Sequence, residues 1–268
     1  MHTRMKVIMF LIVAAAALLM WGCSNEANRN EPLMTTTEGT ISTASPAAEA
    51  EKRGNALIRV VHAVPDAGET DVFADETKTF EGVSYKSVTP YKEVSEERHN
   101  FRVAMAGNKS AQPLAENSEN LSKGYHYTAV VLPGEKDEAP TLQIISDDIT
   151  PPSVGKAKVR VIHASPDAGE IDLHATGKDR ALFDGLNFQT TASYTEVDPM
   201  IVTLEVRPEG RKTALLMVPN AKFEAGKIYT IIVTGKAKGS PNIEATIVED
   251  QLVGNMASAS TAPPTSQR

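Results

Sequence analysis

Apolar and polar positions alternate from Leu57 to Ala63. Ile58, Val60 and His62 fall on one side, and Arg59, Val61 and Ala63 on the other. A period of two predicts a β-strand. Pro65-Asp66-Ala67-Gly68 breaks the pattern with residues suited to a tight turn: proline fixes φ, aspartate bonds its own backbone, and glycine permits positive φ. Alternation resumes with Thr70, Val72 and Ala74 against Asp71 and Phe73. This predicts a strand, a tight hairpin connection and a second strand. Further strands are expected near 79–85, 90–95, 99–106, 125–132 and 141–147, with a poorer candidate at Ala111–Ala115. Tyr125–Leu132 is the strongest β run, closed by Pro133-Gly134. No segment carries a helical stripe.

The pattern then repeats. Leu57–Ala74 returns as Lys158–Ala175, with Arg59 matching Arg160 at an offset of 101 residues (160 − 59). His62, Pro65, Asp66 and Asp71 match His163, Pro166, Asp167 and Asp172. Tyr91-Lys92-Glu93-Val94 answers Tyr194-Thr195-Glu196-Val197, and the Gly124–Thr128 segment answers Gly226–Thr230. A period of about one hundred residues is a domain length rather than a solenoid repeat. In the second copy Ile201–Val206, Thr213–Val218 and Ile228–Thr234 are the matching strands. About seven short strands per copy predict an all-β chain of two tandem immunoglobulin-like β-sandwich domains. We place them at 55–152 and 157–252, joined by 153–156 at the end of a proline-stiffened linker that begins at Asp147, and expect each to carry its own core.

Candidate chemistry is sparse. The motif residues Arg59, His62, Pro65, Asp66, Asp71, Arg160, His163, Pro166, Asp167 and Asp172 read as structural. His62 and His163 share a face with apolar neighbours, which suits histidines buried at strand ends and bonded to the turn; metal ligation or general-base work is the alternative. Asp66 is expected to bond amides within its own turn. Asp71 and Asp172 are expected to pair with Arg59 and Arg160 or with the histidines. Asp66, Glu69 and Asp71 could hold calcium, but their spacing does not fit an EF-hand loop. His99, His126 and His174 lack counterparts in the other copy and form no recognisable triad.

Arg59-Val-Val-His-Ala-Val-Pro-Asp-Ala and Arg160-Val-Ile-His-Ala-Ser-Pro-Asp-Ala resemble the R-V-x-H-A-S-P-D-A opening of a bacterial extracytoplasmic family, the domain of unknown function numbered 4397. The resemblance covers both copies, most of residues 55–250. Val64 departs from the usual serine, and Phe73 and His174 from a common tyrosine. It implies secretion and an all-β fold, and brings no substrate, cofactor or catalytic residue.

The ends extend this picture. Arg4 and Lys6 precede an apolar stretch from Val7 to Trp21, a signal-peptide pattern over 1–22. Gly22-Cys23 then resembles a lipoprotein processing site, with Cys23 as the lipid attachment residue and membrane lipid as its partner. An ordinary signal peptide is the alternative. Cys23 is the only cysteine, so no intramolecular disulfide can form. Residues 23–54 read as a flexible tether and 253–268 as a disordered tail. The formal charge is −7, and −9 once Arg4 and Lys6 leave with the signal (−7 − 2), which argues against nucleic acid. Nucleotide-binding glycine loops, a Gly-x-Ser-x-Gly elbow and His-Glu-x-x-His are absent from the sequence. The reading is a non-enzymatic cell-envelope lipoprotein on the outer side of a membrane, needing no cofactor and presenting two modules to an envelope protein or glycan, or acting as a spacer. The alternatives are an envelope hydrolase with a loop carboxylate site and a calcium-dependent glycan binder.

Overall fold

The computed structural model describes residues 54–250 except 109–111 and 137. The expected signal segment, Cys23, the rest of the expected tether before residue 54 and the expected tail lie outside these residues. The described chain is all-β and forms two immunoglobulin-like sandwiches of eight strands each. In the first, β1 (Asn55–His62), β4 (Lys92–Ser95), β7 (His126–Leu132) and β8 (Thr141–Ser146) make one sheet in the order β4-β1-β7-β8. Its partner sheet is β3-β2-β5-β6, from β2 (Thr70–Ala74), β3 (Thr77–Val83), β5 (Arg98–Met105) and β6 (Ala115–Asn120). The second sandwich repeats this with β12-β9-β15-β16 and β11-β10-β13-β14. Its strands are β9 (Ala157–His163), β10 (Ile171–Ala175), β11 (Ala181–Leu186), β12 (Thr195–Val197), β13 (Met200–Pro208), β14 (Leu216–Phe223), β15 (Ile228–Thr234) and β16 (Glu244–Glu249).

The motif is not a hairpin. β1 and β2 lie in different sheets, and β1 pairs in parallel with β7 instead. Residues 63–69 therefore form a corner that carries the chain across the sandwich. The expected strand at 111–115 also lies later, as β6 at 115–120, and its counterpart runs from 216 to 223 rather than from 213 to 218. β6 is an edge strand of polar residues, Ala-Glu-Asn-Ser-Glu-Asn, so little burial marks it in sequence.

Each sandwich has its own core. Ile58, Val60, Val72, Phe101, Val103 and Val131 build the first; Val159, Val161, Leu173, Leu204, Phe223 and Ile231 build the second. A third cluster joins them: Val61, Ala63, Val130 and Leu132 of the first pack with Ile162, Ala164 and Ile232 of the second. The two central sheets are thus covered on both faces. This is why every residue of β7, β9 and β15 is buried, although alternation suggests one exposed face.

Candidate functional site

Among the apolar side chains between the sandwiches sits a polar cluster built twice from the same residues. Arg59 points from β1 away from its own core. The parallel register sets it opposite Thr128 on β7, and its Nε donates to Thr128 Oγ1 at 2.9 Å. Arg160 stands in the same relation to Thr230 on β15, also at 2.9 Å. The terminal nitrogens then cross over: Arg59 Nη2 meets Asp250 Oδ1 of the second sandwich at 2.8 Å, and Arg160 Nη2 meets Asp147 Oδ1 of the first at 2.7 Å. Asp147 and Asp250 each follow an edge strand, β8 and β16.

Tyrosines and threonines complete the cluster. Tyr91 Oη donates to Asp147 Oδ2 at 2.6 Å and Tyr194 Oη to Asp250 Oδ2 at 2.7 Å. Thr128 and Thr230 donate to the same carboxylates. Each guanidinium lies over its own copy's tyrosine ring, at 4.9 Å for Arg59 and 4.6 Å for Arg160. Burial is the largest influence on both phenols and pushes them above their ordinary range, so they remain neutral donors. Burial opposes the Arg59 charge, but Tyr91, Asp250 and Asp147 outweigh it and raise its pKa. Two positive and two negative charges cancel.

This arrangement replaces the expected pairing of Arg59 and Arg160 with Asp71 and Asp172. Those aspartates lie on β2 and β10 in the outer sheets, across a sandwich core from the arginines. Asp71 instead accepts from the amides of Gly82 and Gly107 at 2.9 and 3.2 Å and meets Lys78 Nζ at 2.9 Å. Burial works against its charge, but these donors outweigh it and lower its pKa. Asp172 accepts from Gly185 and Gly210 in the same way. Gly82 and Gly185 sit at φ of 60° and 63° beside register shifts between strands, a bulge position that favours glycine.

His62 and His163 close the corners. Both are fully buried. His62 Nε2 lies 3.1 Å from Gly68 O, and its Nδ1 accepts from Val64 N at 3.2 Å; His163 does the same with Gly169 O at 2.8 Å and Ser165 N at 3.3 Å. These contacts assign the ring proton to Nε2. Burial holds both rings below the usual histidine pKa, with the glycine carbonyls opposing it. Pro65 and Pro166 are half-buried in the corner turns. Asp66 and Asp167 differ from the expected role in their own turns: Asp66 meets Lys236 Nζ at 3.3 Å, and Asp167 accepts from the amides of Ala237 and Lys238 at 2.6 and 2.8 Å. The exposed tip of the corner leaves these carboxylates free to reach a neighbouring loop.

The remaining histidines lie in three separate settings. His99 Nδ1 lies 2.7 Å from Asp75 Oδ2, and Ser95 Oγ lies 3.4 Å from His99 Nε2, a serine-histidine-aspartate order. However, Nε2 also faces the Ser95 carbonyl at 2.9 Å. The Ser95 hydroxyl itself donates to Glu97 Oε1 at 2.7 Å, which directs its proton away from the imidazole. His126 is buried edge-on against Tyr91 with ring centroids 5.0 Å apart. Burial lowers its pKa to about 4, with Asp147 opposing and Arg59 adding to the shift. His174 lies on β10 opposite Glu205. Among the described residues no group of three or more His, Cys, Asp or Glu side chains is placed to hold a metal ion.

One groove of about 370 Å³ opens beside the cluster, lined among others by Ser146, Asp148, Arg160, Thr191, Ser193 and Tyr194. Asp147, Asp250, Tyr91, Tyr194, Thr128 and Thr230 were not singled out from sequence as site residues. The signal was the repeat itself, which returns the tyrosines and threonines in register and places Asp250 at 103 residues from Asp147 (250 − 147).

Residues 56–174 match the family described as Domain of unknown function (DUF4397). The match covers a little under half the chain, running through the first sandwich and ending on β10. No curated protein matches. Among solved structures, the C-terminal domain of AlgF from P. aeruginosa aligns at 19% identity and a TM-score of 0.29, covering 36% of this chain and 99% of that one. A streptococcal virulence factor described for alpha-glucan binding aligns at 11% identity and a TM-score of 0.22, covering 71% and 95%. CBMbc (family CBM26) from Eubacterium rectale Amy13K, in complex with maltoheptaose, aligns at 10% and 0.22, covering 74% and 97%. At these scores the likenesses carry no argument about ligand.

Proposed function

We propose that the chain is a cell-envelope lipoprotein, held on a membrane by acyl chains on Cys23, whose paired sandwiches act as one stiff, non-catalytic body for binding or spacing outside the cell. Its two halves would be two copies of the DUF4397 domain. The observation that carries this reading is the reciprocal Arg59–Asp250 and Arg160–Asp147 crossing, which fixes the sandwiches against each other. A stiff pair on a long tether presents a surface at a distance from lipid, toward an envelope protein or glycan. The commitment of the Ser95 hydroxyl to Glu97 Oε1 supports a non-catalytic role. Neither the hydrolase nor the calcium reading gains a specific observation.

The test is cell fractionation of the wild type and Cys23→Ala, paired with capture from envelope extract by the purified chain. Wild type is expected in the membrane fraction and Cys23→Ala as released protein or unprocessed precursor. Equal processing and equal membrane retention of the two would refute the anchor. Capture that disappears when the sandwiches are unfolded supports the binding role.

A further inference from the structure

The two copies differ beside the polar cluster. In the first copy Val88 bridges β1 at Val61 and packs against the interdomain apolar cluster. Its counterpart is Thr191, which bridges β9 at Ile162. Thr191 Oγ1 is buried with no hydrogen-bond partner among the described residues. A threonine in a valine's place forfeits packing and leaves a polar atom unsatisfied, with no structural return. Two positions on, Pro90 is answered by Ser193. Both exchanges add hydroxyls to the same wall, and that wall lines the 370 Å³ groove.

Arg160 also lines the groove, although it is only 1% exposed. Its bonds to Thr230, Thr128 and Asp147 are made through Nε and Nη2. Ser146 and Asp148 face these groups from the first sandwich and the linker. The wall therefore offers donors, acceptors and hydroxyls that serve as either.

Charge selects the ligand class. Arg160 is neutralised by Asp147 at 2.7 Å, and Asp148 is paired with Lys158 at 2.7 Å. An anion would find no net positive charge here and would meet the Asp148 carboxylate. A neutral ligand dense in hydroxyls suits the array, and the volume falls within the ordinary range of small-molecule pockets. Resting on the reading of the chain as a binding module, we propose that this groove is a subsite for a neutral glycan unit, contacted by Ser146, Asp148, Arg160, Thr191 and Ser193.

The first copy supplies the variant that tests this. Thr191→Val with Ser193→Pro installs residues already tolerated at the matching places, so the fold should survive. The whole chain is titrated calorimetrically with maltotriose, cellotriose and the N-acetylglucosamine trimer, and with a galacturonic acid trimer as the anionic control. At least one neutral trimer should bind, and the double variant should weaken it by about tenfold or more without lowering the melting temperature. Ser146→Ala, on the opposite wall, should also weaken it. Three results would overturn the inference: no neutral trimer binds, the anionic trimer binds more tightly, or the variants leave affinity unchanged. Binding that survives all the variants would remove this subsite while leaving the binding-module reading standing. Failure of envelope capture would remove the module reading instead.

Discussion

Arg59 and His62 lie three residues apart on one strand and do opposite things. His62 faces inward, is buried against its own sandwich, and makes its polar contacts with Gly68 and Val64 a few residues on. Arg59 faces the other way, and its shortest ionic contact is with Asp250, 191 residues later (250 − 59). His163 and Arg160 repeat the division in the second copy. The comparison shows that one short repeated motif folds each sandwich with one face and joins the sandwiches with the other. Loss of the two residues should therefore differ in reach as well as in size.

The largest effect is expected at the joint. At an effective dielectric of about 20, charges 2.8 Å apart attract by roughly 6 kcal/mol, but removing each ion from water costs several kcal/mol. The intact cluster is close to break-even, whereas removing one member strands a buried charge. Asp147→Ala should cost about 3–5 kcal/mol in urea unfolding and should perturb NMR signals in both sandwiches. Replacing Arg59, Arg160, Asp147 and Asp250 together by apolar residues of similar volume should cost far less than the single change. The reverse order would mean that the charges act independently.

A smaller and more local loss is expected at the corner. His62→Ala should destabilise by about 1–3 kcal/mol and confine its chemical-shift changes to the first sandwich; His163→Ala should do the same to the second. A His62→Ala change that disturbs both sandwiches equally would break the distinction between the faces.

The smallest effect depends on pH. His126 has an apolar counterpart, Ile228, in the second copy. Its folded pKa is lowered from 6.5 to about 4. The unfolded chain therefore takes up the proton first as pH falls, and stability is lost between about 6.5 and 4, being fully present above that window. His126→Ile should flatten the stability profile across this range, by at most roughly 3 kcal/mol at its acid end. Part of the slope should persist, because His62 and His163 are also held below their usual pKa. An unchanged slope would show that His126 is not protonated preferentially in the unfolded chain.

These contrasts also explain what could be read from the chain. Period-two alternation and strong β runs such as Tyr125–Leu132 mark strands, and turn residues punctuate them, so the all-β class follows from local physics. The shared parity of His62 with Ile58 and Val60 places its ring inside. Alternation is silent about which strands pair, so the corner resembles a hairpin until β2 is seen in the other sheet. The joint is harder still. Asp147 reads as the first residue of a linker, because its partner lies in the other copy and no local pattern connects them. The available hint was a charge, Arg59, within a mostly apolar run of strand residues, repeated at Arg160.

The central claim is that Arg59 and Asp250 are coupled across the two sandwiches. A double-mutant cycle with Arg59→Met, Asp250→Leu and the pair, followed by urea unfolding at constant pH and salt, tests it directly. The account predicts that each single change is strongly destabilising and the double change no worse than either, a coupling of about 2 kcal/mol or more. Single effects that add to within about 0.5 kcal/mol would contradict it.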